Sequence, residues 1–361
     1  MKVKMSQTNL TFAISVPIGS WHPMLPAALR SLAAQAPSPE VAVLDASGDA
    51  RVAKALDASG LCFAYRRHGP DAGQSAAIME GWRNTASDVV GWLNADDLLL
   101  SGALNEAGLA LEARPSDAGV FAGSVVFDAA RTVLGIHGQV GVLTDQIACS
   151  NPISQPSCFV RRHSMEAVAG LNEQLHYVMD WEFWARLRQA GETLAPVDAI
   201  WSAVYWGEGT KTFGLGPRRA REMFELTRKH AGTLNALKTV LSARLDGLGA
   251  DWLFRLSKSG RSRTTTGGIR LTAARHPGEN GSRKAILRIP NGFDSARSEL
   301  IVALSSEEVL VSSEQAEAAM IAKGEWRLTF TEQVAPGSDR RIELSAPADS
   351  KARFLSAKWR T

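Results

Sequence analysis

Asp88-Val89-Val90-Gly91-Trp92-Leu93-Asn94-Ala95-Asp96-Asp97 is the stretch that decides the fold. It is a short apolar run, suited to a buried strand, that ends abruptly in an amide and two adjacent carboxylates. Burying Val89, Val90, Trp92 and Leu93 makes the acids emerge at the strand's carboxyl end, where open α/β sheets bind ligands. Neighbouring carboxylates repel each other unless something positive sits between them, and a hard divalent cation with oxygen ligands does this. The plainer reading is a strand-to-helix turn, with Asp96 or Asp97 capping a helix that includes Leu104 to Leu111.

Working outward toward the N-terminus, three further strands precede this one. Phe12 to Ile18 is a β-rich run closed by Gly19-Ser20, and Leu25, Leu29, Leu32 and Ala33 then recur at helical spacing. Glu40 to Asp45 reads as a second strand, with Asp45 at its carboxyl end. A short helix over Ala50 to Leu56 leads to a third strand at Leu61 to Tyr65. The loop His68-Gly69-Pro70-Asp71-Ala72-Gly73 then feeds a helix from Gln74 to about Asn84. Alternation of this kind predicts a parallel, doubly wound sheet whose loops after Pro17, Asp45 and Leu93 share one edge.

Composition bounds what such a site serves. The chain has 361 residues, 21% charged and 45% hydrophobic, with a net charge of +3. That balance is ordinary for a globular protein and argues against nucleic acid as a partner. Cys62, Cys149 and Cys158 show no metal-ligand spacing and cannot all pair, which suits a reducing compartment. Neither a signal-peptide apolar region nor a long apolar run is present, so the expected location is cytoplasmic, including the inner face of a membrane.

Toward the C-terminus, Gln155-Pro156-Ser157 opens a strand, and Met179-Asp180-Trp181-Glu182-Phe183-Trp184 begins a helix with Asp180 at its amino end. With Ile14-Ser15-Val16-Pro17, Val43-Leu44-Asp45, Asp71 to Ile78 and Trp92 to Asp97, these pieces fall in one order across roughly residues 10 to 213. In that order the chain resembles the family 2 inverting glycosyltransferases of GT-A fold. The resemblance implies a metal-assisted direct displacement, by a hexosyltransferase-like enzyme, of a sugar from a nucleotide-sugar donor, foremost a UDP-sugar. The acceptor would be a hydroxyl of a glycan or lipid-linked glycan, in polysaccharide or glycan assembly.

The resemblance also implies roles residue by residue. Asp45 would hold the base and ribose, with Pro17 lining the base, and Asp71 and Gln74 would close over the nucleoside. Asn94-Ala95-Asp96 occupies the family's DXD position with Asn in place of the first acid. Asp96 would hold Mg²⁺ or Mn²⁺, and Asp97 would support it. Asp180 would be the base, in a place where many relatives carry Glu-Asp. Gln155, Trp181 and Lys211 would meet the acceptor or diphosphate. Many relatives carry a histidine shortly before a Lys-Thr pair; here Val204-Tyr205-Trp206-Gly207-Glu208 precedes Lys211-Thr212 without one. An N-cap role for Asp180, and an Arg161-Arg162 pair in a solvated turn, are the non-functional alternatives.

The organisation expected is a GT-A domain over 1–215, a helical segment over 216–260 and a β-rich accessory domain over 261–361. The helical segment is basic and amphipathic, a pattern that also suits peripheral contact with a membrane. Period-2 runs at 285–289, 300–304, 326–330 and 341–344 predict a small β-sandwich-like domain. The expected fold is therefore α/β, with a doubly wound, mostly parallel sheet, a helical segment and that β module. A reading from another class is a catalytically inactive, transferase-like scaffold or glycan-binding protein acting through the C-terminal strands. A sugar nucleotidyltransferase is disfavoured, since no Gly-rich basic signature follows the first strand.

Overall fold

The computed structural model describes residues 7–138, 147–207, 210, 215–247, 269–270, 276–277, 283–290, 299–304, 306–314, 316–330, 339–347 and 353–359. Over the first hundred residues the alternation holds. Strands β1 (Phe12–Ile18), β2 (Glu40–Asp45), β3 (Phe63–His68) and β4 (Val89–Trp92) are separated by helices α1 (Leu25–Ala33), α2 (Ala50–Asp57) and α3 (Gln74–Arg83). β1 pairs in parallel with β2 and β4, and β3 adds in parallel outside β2. β1 and β4 are buried throughout, which is why they read as unbroken apolar runs. β3 alternates half-buried and exposed positions, as an edge strand does.

Beyond β4 the expectation of a mostly parallel, doubly wound sheet is overturned. There follow β5 (Leu98–Leu99), α4 (Ala103–Glu112), β6 (Gly119–Phe127), β7 (Val133–His137), β8 (Cys158–Arg161), α5 (Arg162–Ala167), α6 (Met179–Gln189), β9 (Leu194–Tyr205), α7 (Pro217–Ala231) and α8 (Thr233–Gly247). β8 inserts between β4 and β6, antiparallel to both. β6 and β7 form an antiparallel pair, β5 runs against β9, and only β6 with β9 is parallel. The main sheet is mixed and mostly antiparallel. A crossover helix between successive strands enforces parallel pairing, and that pattern stops at β4.

The C-terminal period-2 runs are strands, but they do not stand as one module. The strand Arg353–Trp359 joins β7 through Ala357 and Val133, and brings Glu299–Leu304, Glu325–Phe330 and Ala316–Ala322 into a 14-stranded main sheet. That addition covers the free edge of β7. The remaining strands, among them Arg283–Pro290 and Asp339–Ala346, make a separate four-stranded antiparallel sheet. Phe127, Val302, Leu328, Ile342 and Leu344 share one apolar cluster across both sheets. Arg288 fixes the small sheet to the rest: its guanidinium lies 3.2 Å from Glu106, donates to the Ile200 carbonyl at 3.1 Å and also reaches the Ser101 carbonyl.

α3 matters most for the site, because its first turn carries Gln74. It packs so closely on β1 and β2 that a Cβ at Gly81 would lie 2.3 Å from Ser15 Oγ and 3.1 Å from Ala42 Cβ. Ser15 has no room to yield, since it is fully buried and its hydroxyl donates to the Ile78 carbonyl at 3.0 Å. Gly81→Ala is therefore expected to destabilise the fold by about 1–3 kcal/mol through overpacking. Urea unfolding of the variant measures this, and an unchanged midpoint would contradict such close seating of α3.

Arg161 and Arg162 are structural rather than solvated. Arg161 donates to the carbonyls of Asp117 and Leu111, at 3.0 and 2.9 Å. Arg162 donates to those of Ser87 and Trp82, both at 2.7 Å. Each guanidinium thus satisfies one carbonyl of a helix's last turn, Leu111 in α4 and Trp82 in α3, and one carbonyl of the loop that follows. Among the described residues, no helix is long and apolar enough to cross a membrane.

Candidate active site

The loops at the carboxyl ends of β1, β2, β3 and β4 converge. At the end of β2, Asp45 is 2% exposed, yet its carboxyl is held below the usual carboxylate range. Burial works against this, but Ser47 donates from Oγ at 2.6 Å and from N at 2.9 Å, and His68 Nδ1 lies 2.8 Å from the other oxygen. The Gly69 amide also donates to the Asp45 carbonyl at 2.8 Å, which ties the loop after β3 to the end of β2. Asp71, in that loop, accepts from the Gly73 amide at 2.9 Å and lies 3.6 Å from Arg67. Pro17 sits in β1 beside Leu44, in register with the end of β2.

The acids after β4 belong to a turn, not to a helix cap. α4 starts at Ala103, preceded by Gly102 in a left-handed conformation. Asn94 is the hub of this turn. Its Oδ1 accepts from Gln74 Nε2 at 2.7 Å, and its Nδ2 donates to Asp97 Oδ2 at 3.0 Å and to Gln155 Oε1 at 3.3 Å. Gln155 also donates to the Trp92 carbonyl at 2.7 Å. Asp97 is buried, and its second oxygen accepts from the Tyr205 amide at 3.1 Å. Asp96 is half-buried, and His22 from the loop after β1 faces it. Ala95 is likewise half-buried.

Burial pushes both carboxyls up, Asp97 strongly, and the charge of Asp96 adds to the rise at Asp97. An acid whose folded pKa lies above its unfolded one favours folding below the unfolded pKa, and that contribution is lost as pH rises through the folded value. At neutral pH the pair therefore works against folding. Asp96→Asn, which keeps the volume and removes one charge, is expected to raise stability near pH 7 by about 1 kcal/mol, the scale of one close repulsion in a wet site. The gain should shrink as pH falls toward 4. Thermal unfolding across this range measures it, and a variant less stable at pH 7 would contradict the repulsion.

Asp180 sits in the first turn of α6, and the residue preceding that helix is Val178. Burial pushes its carboxyl up. The Trp181 amide, at 2.7 Å, and Asn151 Nδ2, at 2.8 Å, pull the other way, and so does the positive charge of Arg219 on α7. α7 also steadies the approach to α6: Glu222 accepts from the amides of His176, Tyr177 and Val178 at 3.2, 2.7 and 3.3 Å. Trp181 is 4% exposed and its indole N–H donates to the Ile147 carbonyl at 2.5 Å, so its ring is a core group. Lys211 lies outside the described residues.

Two links join the Asp180 region to the acid turn. In the first turn of α3, Gln74 reaches Asn94 while its neighbour Ser75 donates to Met179 Sδ at 2.8 Å and to the Leu175 carbonyl at 3.2 Å. In the loop before β8, Asn151 reaches Asp180 while Gln155 reaches Asn94. The arrangement sets half-buried Asp96 and buried Asp97 on one side and half-buried Asp180 on the other, each carboxyl pushed up by burial.

His22, His68, Asn151, Tyr205, Arg219 and Glu222 were not singled out as site residues from the sequence. His22 carried a usable signal, since it lies in a loop expected on the converging edge. Asn151 and Glu222 carried none, because their partners are distant in sequence and follow no periodicity.

Residues 20–137 match Glycosyl transferase family 2. No curated protein sequence matches the chain. Among solved structures, it is similar to the mannosyltransferase PcManGT from Pyrobaculum calidifontis, in complex with GDP-Man and Mn²⁺. That likeness has 15% identity and a TM-score of 0.48 over 72% of this chain and 77% of the other. A second likeness is to S. aureus TarS 1-349 in complex with UDP-GlcNAc, with 15% identity and a TM-score of 0.46 over 70% and 74%.

Proposed function

Residues 20–137 are homologous to glycosyl transferase family 2, and from that premise we propose that the chain moves a sugar from a nucleotide-sugar donor to a hydroxyl acceptor with inversion. The observation that carries this reading is the double link, through α3 and the loop before β8, between the Asn94–Asp97 turn and Asp180.

The donor set suits a divalent cation. Mg²⁺ and Mn²⁺ sites on phosphate substrates use one or two carboxylates and take remaining ligands from phosphate oxygens and water, so a three-residue cage is not required. Among the described residues there is none. Asp96 would hold the ion, while Asp97, engaged at both oxygens, fixes the turn. The bound ion would neutralise charge developing on the leaving diphosphate. Asp45 and Asp71 would meet the nucleoside from the end of β2 and the loop after β3.

Asp180 would take the proton of the acceptor hydroxyl. Its raised pKa makes it a stronger base than an ordinary aspartate, while the Trp181 and Asn151 hydrogen bonds hold its oxygens in place. Direct attack from the face opposite the leaving group inverts the anomeric centre.

The test is a screen of UDP-, GDP- and dTDP-sugars for Mn²⁺-stimulated release of the free nucleoside diphosphate, with water or added glycans as acceptor. Release from one nucleotide class is the expected result. No release from any, with no nucleotide bound, would overturn the reading in favour of a non-catalytic scaffold.

A further inference from the structure

We propose that the outward face of α8 seats the protein on an anionic lipid surface. The inward face of this helix is already used. Ala236 is fully buried, Val240 and Ala243 pack on the cluster that holds Met223 and Leu226, and Thr239 donates to the Cys149 carbonyl at 3.1 Å. The opposite face carries Leu234, Leu237 and Leu241 at 74%, 55% and 53% exposure. Positions separated by three and four residues fall on one stripe of a helix, so the three leucines line up.

Charge selects the occupant. Between Pro217 and Arg244 the sequence holds seven Lys or Arg and two Glu. Of the two acids, Glu222 is turned inward onto the amides of residues 176–178 and also pairs with Arg218 at 3.2 Å, and Glu225 is paired with Arg228 at 2.7 Å. Lys238 and Arg244 on α8, with Arg221 and Lys229 on α7, remain exposed. A second copy docked on this face would bring like charges together. By helical spacing Lys238 and Arg244 flank the leucine stripe on either side, the pattern of a helix lying in the headgroup region of an acidic bilayer. A single weak signal gives only marginal binding, and here an apolar stripe and a cationic rim act together.

The location has a consequence that rests on the reading under Proposed function. α7 and α8 pack on the cluster that also holds α6, and Arg219 on α7 acts on Asp180, so on that reading a lipid-borne hydroxyl is the acceptor within reach of a seated protein.

The test is flotation of the full chain with phosphatidylcholine vesicles and with mixed phosphatidylglycerol–phosphatidylcholine vesicles, and it needs no activity. The bound fraction should be about tenfold higher on the acidic vesicles and fall at high salt. Leu237→Ser with Leu241→Ser, and separately Lys238→Glu, should each lower it several-fold with thermal unfolding unchanged, since all three side chains are exposed. Equal binding to both vesicle types, or undiminished binding of the variants, would overturn the proposal. So would a wild-type dimer, seen by sedimentation equilibrium, that the leucine variant converts to a monomer. Vesicle binding without donor turnover would support this surface while removing the glycosyltransferase reading.

Discussion

Asp180→Asn is expected to lower turnover about 10²–10⁴-fold, the usual contribution of a positioned general base, and to leave donor binding in place. Asn keeps the volume, and its carbonyl oxygen still accepts from the Trp181 amide, so the start of α6 is retained. The loss should appear in kcat rather than KM, because the lost interaction is made as the proton moves. The wild-type pH profile gives an independent sign. On the proposed mechanism turnover would require the carboxylate, and burial pushes its pKa up. Activity should therefore fall, as pH is lowered, at a higher pH than an ordinary aspartate near 4 would give. The positive charge of Arg219 opposes that rise. Arg219→Gln should move the acid limb further up, while Arg219→Lys should restore it in part. A limb that stays fixed in both variants would show that Arg219 does not face the titrating group.

The second large effect concerns Asp96. Asp96→Asn should cost about 10²–10³-fold in Mn²⁺-dependent turnover, the scale of removing one electrostatic contact to the developing charge. The same substitution is expected to stabilise the ion-free fold near neutral pH. A stabilised but inactive variant separates a functional carboxylate from a structural one, because strain kept at a site is costly to the fold and useful to the reaction. Rate measurements with Mn²⁺ titrated from zero provide the check. A variant that retains wild-type Mn²⁺ stimulation would move the metal role away from Asp96.

Much of the N-terminal half was legible because helix and strand periods alternate there. Phe12–Ile18, Glu40–Asp45 and Gln74–Arg83 lie close to where the apolar pattern places them. The third strand was not: it runs Phe63–His68 rather than Leu61 to Tyr65, because a half-exposed edge strand carries Arg66 and Arg67 within it. The parallel sheet was over-extended for a different reason. Alternation speaks only for strands joined by a crossover helix, and it says nothing of β8 returning between β4 and β6. Likewise no local pattern indicates that Ala357 would meet Val133.

The site divides the same way. Asp45, Asn94, Asp96 and Asp97 stand out in the sequence because each lies at or just past the end of a recognisable strand. Their partners were harder to find. Arg219 stands among the basic residues of the C-terminal helices in the sequence, and only the packing of α7 on α6 brings its charge to bear on Asp180. Trp181, read as a candidate acceptor contact from its place beside Asp180, turns inward because the helix face it occupies is the core face.

The most direct measurement of the central claim is calorimetric titration of UDP, GDP and dTDP, with and without Mn²⁺, on wild type, Asp96→Asn and Asp180→Asn. The account predicts Mn²⁺-dependent binding of one nucleotide by wild type and Asp180→Asn, lost in Asp96→Asn. Binding of no nucleotide by the wild type, or equal loss in both variants, would contradict it.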